Sequence, residues 1–313
     1  MHKDIDVLVQ EVGPRDGLQS IPTIFPTEVK LNWIRKEARA GVANIQVGSF
    51  VPAGLLPQMA DSAEVVRGAR QIPGLSVSAL APNLRGAVDA MNAGADEVEV
   101  VLSVSEAHNQ ANVRRSVDQS LDEFSRISAE RDTRSGSARC VLVGAMATAF
   151  GCTIAGPVKV SEVLRVAEQL LKRGADRLSI ADTVGYANPQ QVRELFQELY
   201  RNLGSEVEIG AHFHDTRGLG LANACAALDA GVRKLDASLG GLGGCPYAPG
   251  ASGNIVTEDL VFMLEAMGLR TGIDLDALLQ TRDIMEQHLN GESTHGAIAK
   301  AGVPKGYVAA SRH

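Results

Sequence analysis

Two kinds of segment alternate along the chain. Short runs rich in β-branched and alternating apolar residues lie at 6–13, 43–50, 75–80, 96–103, 138–146, 176–182, 207–214 and 234–240. Between them stand longer stretches whose apolar residues recur at helical spacing, at 27–40, 61–70, 116–131, 158–173, 189–203 and 218–230, with a shorter one at 83–93. The helix-to-strand joints repeat one device: AGVANIQV (40–47), AGADEVEV (93–100), RGADRLSI (173–180) and AGVRKLDA (230–237). In each, a helix ends, a glycine supplies the left-handed cap, and a strand begins a few residues later. Strands joined in this way are parallel, with right-handed crossovers. Eight such units predict an α/β fold, a (β/α)8 TIM barrel over residues 1–272. The rival, a doubly wound open sheet, usually has fewer strands and often a glycine fingerprint at its first turn. That turn here reads EVGPRDGLQ, which is not G-x-G-x-x-G. Residues 273–313 read as a short C-terminal helical extension. DLDALLQTRDIMEQHLN forms one more amphipathic helix, and GVPKGYVAASRH a loosely ordered arm.

Composition narrows the class. The 313 residues are 45% hydrophobic and 21% charged, as in ordinary globular chains, and are long enough for a large core without disulfide staples. The net charge of −7 and pI of about 5.6 argue against a nucleic-acid or anionic-membrane partner. At 4% aromatic content there is little to stack single-stranded bases on. The four cysteines (140, 152, 225 and 245) form no C-x-x-C pair, which speaks against a zinc ribbon and for a reducing compartment. MHKDIDVLVQEVG lacks the apolar core of a signal peptide, and no run of about 18 apolar residues could span a bilayer, so a cytoplasmic location is expected.

In a TIM barrel, chemistry gathers at the C-terminal ends of the strands. Four polar clusters fall there. Arg15-Asp16 follows the first strand; taken alone, it reads equally as a polar turn. Asp182-Thr183 follows the sixth and reads equally as a helix cap. His212-Phe213-His214 ends the seventh; with a period of two, both imidazoles face one side, as metal ligands or as ordinary polar residues of a strand edge. The fourth is GLGGCPYAPGASGN (241–254), which carries Cys245 and closes on Asn254. It has no Walker lysine, so a phosphate loop is disfavoured, and the plain alternative is a flexible connection with an incidental thiol. Together, one carboxylate, two imidazoles and one amide oxygen make a mixed N/O set suited to Mg²⁺ or Mn²⁺. Cys245, a competing ligand in such a site, suits proton chemistry better.

EVGPRDGLQ, HFHDTRGLGLAN and GLGGCPYAPGASGNIVTEDL closely resemble the 3-hydroxy-3-methylglutaryl-CoA lyase family, over about residues 6–270. The resemblance implies a metal-dependent barrel enzyme that cleaves a C–C bond of a 3-hydroxy-3-methylglutaryl-CoA-like thioester to acetyl-CoA and a keto acid, in leucine catabolism or ketone-body formation. It implies that Asp16, His212, His214 and Asn254 hold the divalent cation (Mg²⁺ or Mn²⁺). It places Arg15 on the thioester carbonyl, makes Cys245 the catalytic thiol, and sets Gln19, Asp182 and Thr183 near the substrate. It also implies a homo-oligomer, a dimer. One departure stands out: where the family carries a glutamate after the second strand, this chain has Gln46 in NIQVGSFV. An amide is isosteric with that carboxylate but cannot act as a base. The fifth strand, VLVGAMATAFGC, also lacks the family's aromatic residue. Both changes open the site to a related CoA ester, such as citramalyl-CoA giving pyruvate.

Overall fold

The computed structural model describes residues 5–136, 139–243 and 253–312. Eight parallel strands close into a barrel in sequence order: β1 (Leu8–Glu11), β2 (Asn44–Ser49), β3 (Ser76–Ala81), β4 (Glu97–Ser103), β5 (Val141–Ala147), β6 (Arg177–Asp182), β7 (Ile209–Phe213) and β8 (Lys234–Ala237). Closure runs through β1 and β8, with Gln10 opposite Asp236 and Glu11 opposite Ala237. Around them lie α1 (Thr27–Arg39), α2 (Ser62–Ala69), α3 (Leu84–Ala93), α4 (Glu106–Val113), α5 (Val117–Asp132), α6 (Val160–Lys172), α7 (Pro189–Leu203) and α8 (Gly220–Asp229), followed by α9 (Thr257–Ala266), α10 (Leu275–Glu286) and α11 (Ile298–Ala301). Among the described residues, no helix is long and apolar enough to cross a membrane.

Each expected strand and helix is present, its ends trimmed by a few residues. The four repeated joints do what their glycines imply: Gly41, Gly94, Gly174 and Gly231 all have φ between 94° and 108°. The pattern did not reveal α4, whose polar sequence EAHNQANV carries little periodicity, or α9, which follows the glycine-rich loop. The outward faces of the strands supply the apolar core against the helices, with Val98, Val100 and Leu102 of β4 and Leu142 and Met146 of β5 buried. The inward faces are polar: Gln10, Asn44, Gln46, Ser76, Ser78, Glu97, Glu99, His212, Lys234 and Asp236.

The C-terminal residues are fastened rather than loose. The Tyr307 ring lies 5.2 Å from that of Phe262. Ser311 bonds the Glu265 carboxylate through its amide (2.7 Å) and hydroxyl (2.6 Å). The motif GVPKGYVAASRH looks unstructured because its anchors are single residues without periodicity. The extension also braces the barrel mouth. Arg282 of α10 bonds the buried Glu258, whose other oxygen accepts from the Gly240 amide at 3.2 Å, and the His295 amide donates to the Gly240 carbonyl at 2.7 Å. Arg282→Ala leaves the Glu258 charge without its cation. The expected loss is about 3–5 kcal/mol of stability, read as a lower denaturation midpoint; an unchanged midpoint would remove this brace from the account.

Candidate active site

The site is built at the C-terminal ends of β1, β7 and β8. After β1 the chain makes one wide helical turn, Gly13–Gly17, in which the Val12 carbonyl accepts from the amides of Arg15, Asp16 and Gly17 (3.1, 2.7 and 3.4 Å). Such π-type turns cluster at functional sites because they re-aim side chains. Here the turn points Arg15 and Asp16 inward, where both are buried. Gly13 is required: a Cβ there would sit 2.6 Å from Glu11 Oε1 and 2.9 Å from the Trp33 ring. Glu11 itself is fully buried. Its Oε1 accepts from the Gly13 amide (2.7 Å) and the Leu239 amide (2.9 Å), and its Oε2 from the Thr257 hydroxyl (2.6 Å). Burial nevertheless pushes its pKa up to about 8, outweighing these three donors.

On β7, Phe213 faces outward against Phe150 with ring centroids 6.2 Å apart, so His212 and His214 both face the barrel axis. Residues 253–257 then run between the ends of β7 and β8. Asp215 N bonds Gly253 O (3.1 Å), Ile255 N bonds Phe213 O (3.2 Å), and Ser238 N bonds Ile255 O (3.0 Å). This insertion brings Asn254 opposite His214. Gly253 fits only without a side chain, since a Cβ would lie 1.7 Å from Gly243 O and 2.1 Å from Gly241 O.

Asp16, His212 and His214 offer ligand atoms that all lie within 4.8 Å of one another. His214 Nε2 is 3.1 Å from His212 Nε2 and 3.7 Å from Asp16 Oδ2. Asn254 donates to Asp16 Oδ2 at 2.7 Å, while its own Oδ1 is buried and finds no partner among the described residues. His212 Nδ1 lies 3.1 Å from Asp236 Oδ2, which fixes the tautomer that leaves Nε2 free as a ligand. Two imidazole nitrogens, a carboxylate and an unmatched amide oxygen thus converge, and a divalent cation fits that set. Desolvation opposes a charge on His212, but its bond to Asp236 and the charges of Asp236 and Asp16 outweigh it and shift its pKa upward. Burial would raise the pKa of Asp16, yet the Arg15 charge and the two histidines hold it well below the usual carboxylate range.

The other expected residues divide. Arg15 is clamped between Asp16 Oδ1 and Gln46 Oε1, while Gln46 Nε2 stays buried and finds no partner among the described residues. Gln19 donates to Asp16 Oδ1 at 3.1 Å, so it acts on the carboxylate directly. Asp182 gives both oxygens to backbone amides, Tyr186 at 2.8 Å and Ala187 at 3.0 Å; burial, the largest influence, raises its pKa. Thr183 Oγ1 accepts from the Thr148 amide at 2.8 Å and steadies a β-branched residue held at φ 58°. Cys245 lies outside the described residues. Asp236 was not among the sequence candidates, although strand alternation and its place opposite His212 in the β7–β8 register mark it. Glu11, at the end of β1, was also passed over.

A polar-cored TIM barrel with a carboxylate–histidine cluster at its mouth, spaced to hold a metal ion, defines a class of barrel enzymes. The HMGL-like family model matches residues 6–285. The chain is 40% identical over 283 residues to the hydroxymethylglutaryl-CoA lyase YngG of Bacillus subtilis, covering 90% of this chain and 93% of that protein. It is 39% identical to the mitochondrial hydroxymethylglutaryl-CoA lyase of Mus musculus, covering 94% and 89%. A solved HMG-CoA lyase from Acinetobacter baumannii, in complex with coenzyme A and 3-methylmalate, superimposes with a TM-score of 0.90 at 42% identity over 98% of each chain. The chain belongs to the HMGL-like family and is a carbon–carbon lyase. Asp236→Asn removes the carboxylate that orients His212. The affinity for Mn²⁺, measured by calorimetry, should fall about tenfold to a hundredfold; unaltered affinity would show that His212 needs no such partner.

Proposed function

We propose that this chain is a divalent-metal-dependent acyl-CoA lyase that cleaves a 3-hydroxy-3-methylglutaryl-CoA-like thioester to acetyl-CoA and a keto acid, acetoacetate for HMG-CoA itself. The observation that carries the reading is the convergence of Asp16, His212, His214 and Asn254 beside Arg15. These four residues would hold Mg²⁺ or Mn²⁺, which when bound supplies Lewis acidity toward the substrate hydroxyl and lowers its pKa. Asp16, kept ionised, is the carboxylate in place to accept the hydroxyl proton, a task Gln46 cannot perform. As that proton leaves, the C–C bond breaks, a ketone forms at the hydroxyl-bearing carbon, and the electron pair passes into the thioester as an enolate. Arg15, oriented by Asp16 and Gln46, stands to stabilise the charge growing on the thioester oxygen. Cys245 is assigned the last step, giving its thiol proton to the enolate carbon. Gln19, Asp182 and Thr183 complete the substrate surroundings.

Gln46 favours a second reading within the same chemistry. Its unmatched Nε2 is a buried donor where the family's residue is an acceptor. Such a donor suits a substrate that brings a carboxylate oxygen to it, as citramalyl-CoA does with its carboxylate directly on the hydroxyl-bearing carbon; the same cleavage then gives pyruvate. The Acinetobacter baumannii lyase holds CoA together with a hydroxy diacid, 3-methylmalate. The proposal keeps residues 1–272 as the catalytic barrel, and takes a cytoplasmic homodimer working in leucine or ketone-body metabolism as its setting.

A panel of CoA esters tests this. With Mn²⁺ or Mg²⁺ the protein should release acetyl-CoA from HMG-CoA or citramalyl-CoA; no turnover of any hydroxy-diacid thioester sinks the lyase reading. Gln46→Glu should raise kcat/KM for HMG-CoA relative to citramalyl-CoA. If both fall alike, Gln46 does not choose the substrate.

A further inference from the structure

Beneath the cation site, the inward face of β4 carries two carboxyls with opposite surroundings. Glu97 is bonded by cations: Lys234 Nζ at 3.1 Å and Arg177 Nη1 at 2.9 Å, with Asn44 Nδ2 at 2.9 Å. Burial opposes its charge, but those two cations prevail and its pKa is lowered. Glu99, two residues on, pairs with no cation among the described residues. Its Oε1 accepts from Gln10 Nε2 at 2.7 Å and from the Ser78 hydroxyl at 3.2 Å. Gln10 and Ser78 are fully buried.

Both partners can serve either protonation state. Gln10 Oε1 finds no partner among the described residues, so the amide turned over offers an acceptor to a carboxylic acid. The Ser78 hydroxyl rotates in the same way. The wider surroundings also leave Glu99 as the odd charge. On β5 it faces the apolar Val143. Lys234 and Arg177 are taken by Glu97, with Glu208 at the rim sharing Arg177. Arg15 is taken by Asp16. Asp236, committed to His212, adds a further negative charge. Burial and the Asp236 charge raise the Glu99 pKa, with Lys234, Gln10 and Arg15 opposing.

We propose that Glu99 is a charge-compensating positioning residue: it keeps its proton while the cluster is empty and releases it when a divalent cation enters. The barrel interior then changes by one positive charge for each divalent ion bound, because one proton leaves as two charges arrive. No bond other than the O–H bond of Glu99 breaks, and the proton passes to solvent. The inference rests on the reading of Asp16, His212, His214 and Asn254 as a cation site, and it gives this chain a carboxyl on β4 that adjusts to the ion while position 46 holds an amide.

The experiment is titration calorimetry of the full chain with Mn²⁺ alone, in two buffers of different ionisation enthalpy near neutral pH. Wild type should release roughly one proton more per ion than E99Q, and E99Q should bind about tenfold more weakly on the alkaline side. Infrared difference spectra with and without Mn²⁺ read the same proton: the carbonyl stretch of a protonated carboxyl should disappear on binding in wild type, and that loss should be missing from the E99Q difference spectrum. Equal proton release in the two proteins, or no such band lost, overturns the role of Glu99 while leaving the cation site standing. Absence of Mn²⁺ binding to wild type overturns the cation site as well.

Discussion

One buried carboxyl, Glu11, joins the parts of the mouth that must agree in position. Its two oxygens reach the turn that carries Arg15 and Asp16, the turn that follows β8, and the first residue of α9. The first of those segments lies more than 200 residues from the other two in sequence, and between them they present Asp16 and Asn254. A barrel closes by strand pairing alone, but pairing fixes the strands and leaves the loops free. Glu11 supplies the missing constraint, and the neighbouring Glu258–Arg282 pair extends it into the C-terminal helices. The extension is thus part of the frame that holds the site.

The interior of the barrel is unusual in its polarity. A barrel of this size is normally filled with branched apolar side chains. Here cations and carboxyls are stacked from the N-terminal end, with Arg177, Glu97 and Lys234, up to Asp236, His212 and Asp16. Buried ions are costly unless partnered, and each cation in this column has a carboxylate within bonding distance. A polar column of this kind supports a charged site from below: at its top Asp236 holds His212 by Nδ1, which leaves Nε2 facing the cluster.

The fold was legible because the joints repeat. Glycine at each helix end and alternation in each strand are local signals, and eight repetitions admit few topologies. The residues of the candidate cation site were legible for a related reason: Asp16, His212 and His214 are polar where a strand ends. What stayed hidden depends on pairing across the barrel. Asp236 acquires meaning only opposite His212, and Glu99 only against Gln10 and Ser78, 89 and 21 residues away. Asp182 and Thr183 show the converse. Their motif reads as substrate contact in the family and as a cap in isolation; in the structure Asp182 ties down the loop before α7, which Asn188 caps, and Thr183 supports the turn at Thr148. The anchored tail was missed because Tyr307 and Ser311 are lone contacts in a stretch without period.

The pinch at Gly253 has a wider meaning. Its backbone lies against the carbonyls of Gly241 and Gly243, so the chain leaving the barrel and the chain returning to it meet at one crossing point. Asn254 is set by that crossing and by the pairing to β7 and β8, all of it on the barrel side. A side chain at residue 253 would therefore cost the barrel the position of Asn254 as well as the crossing itself.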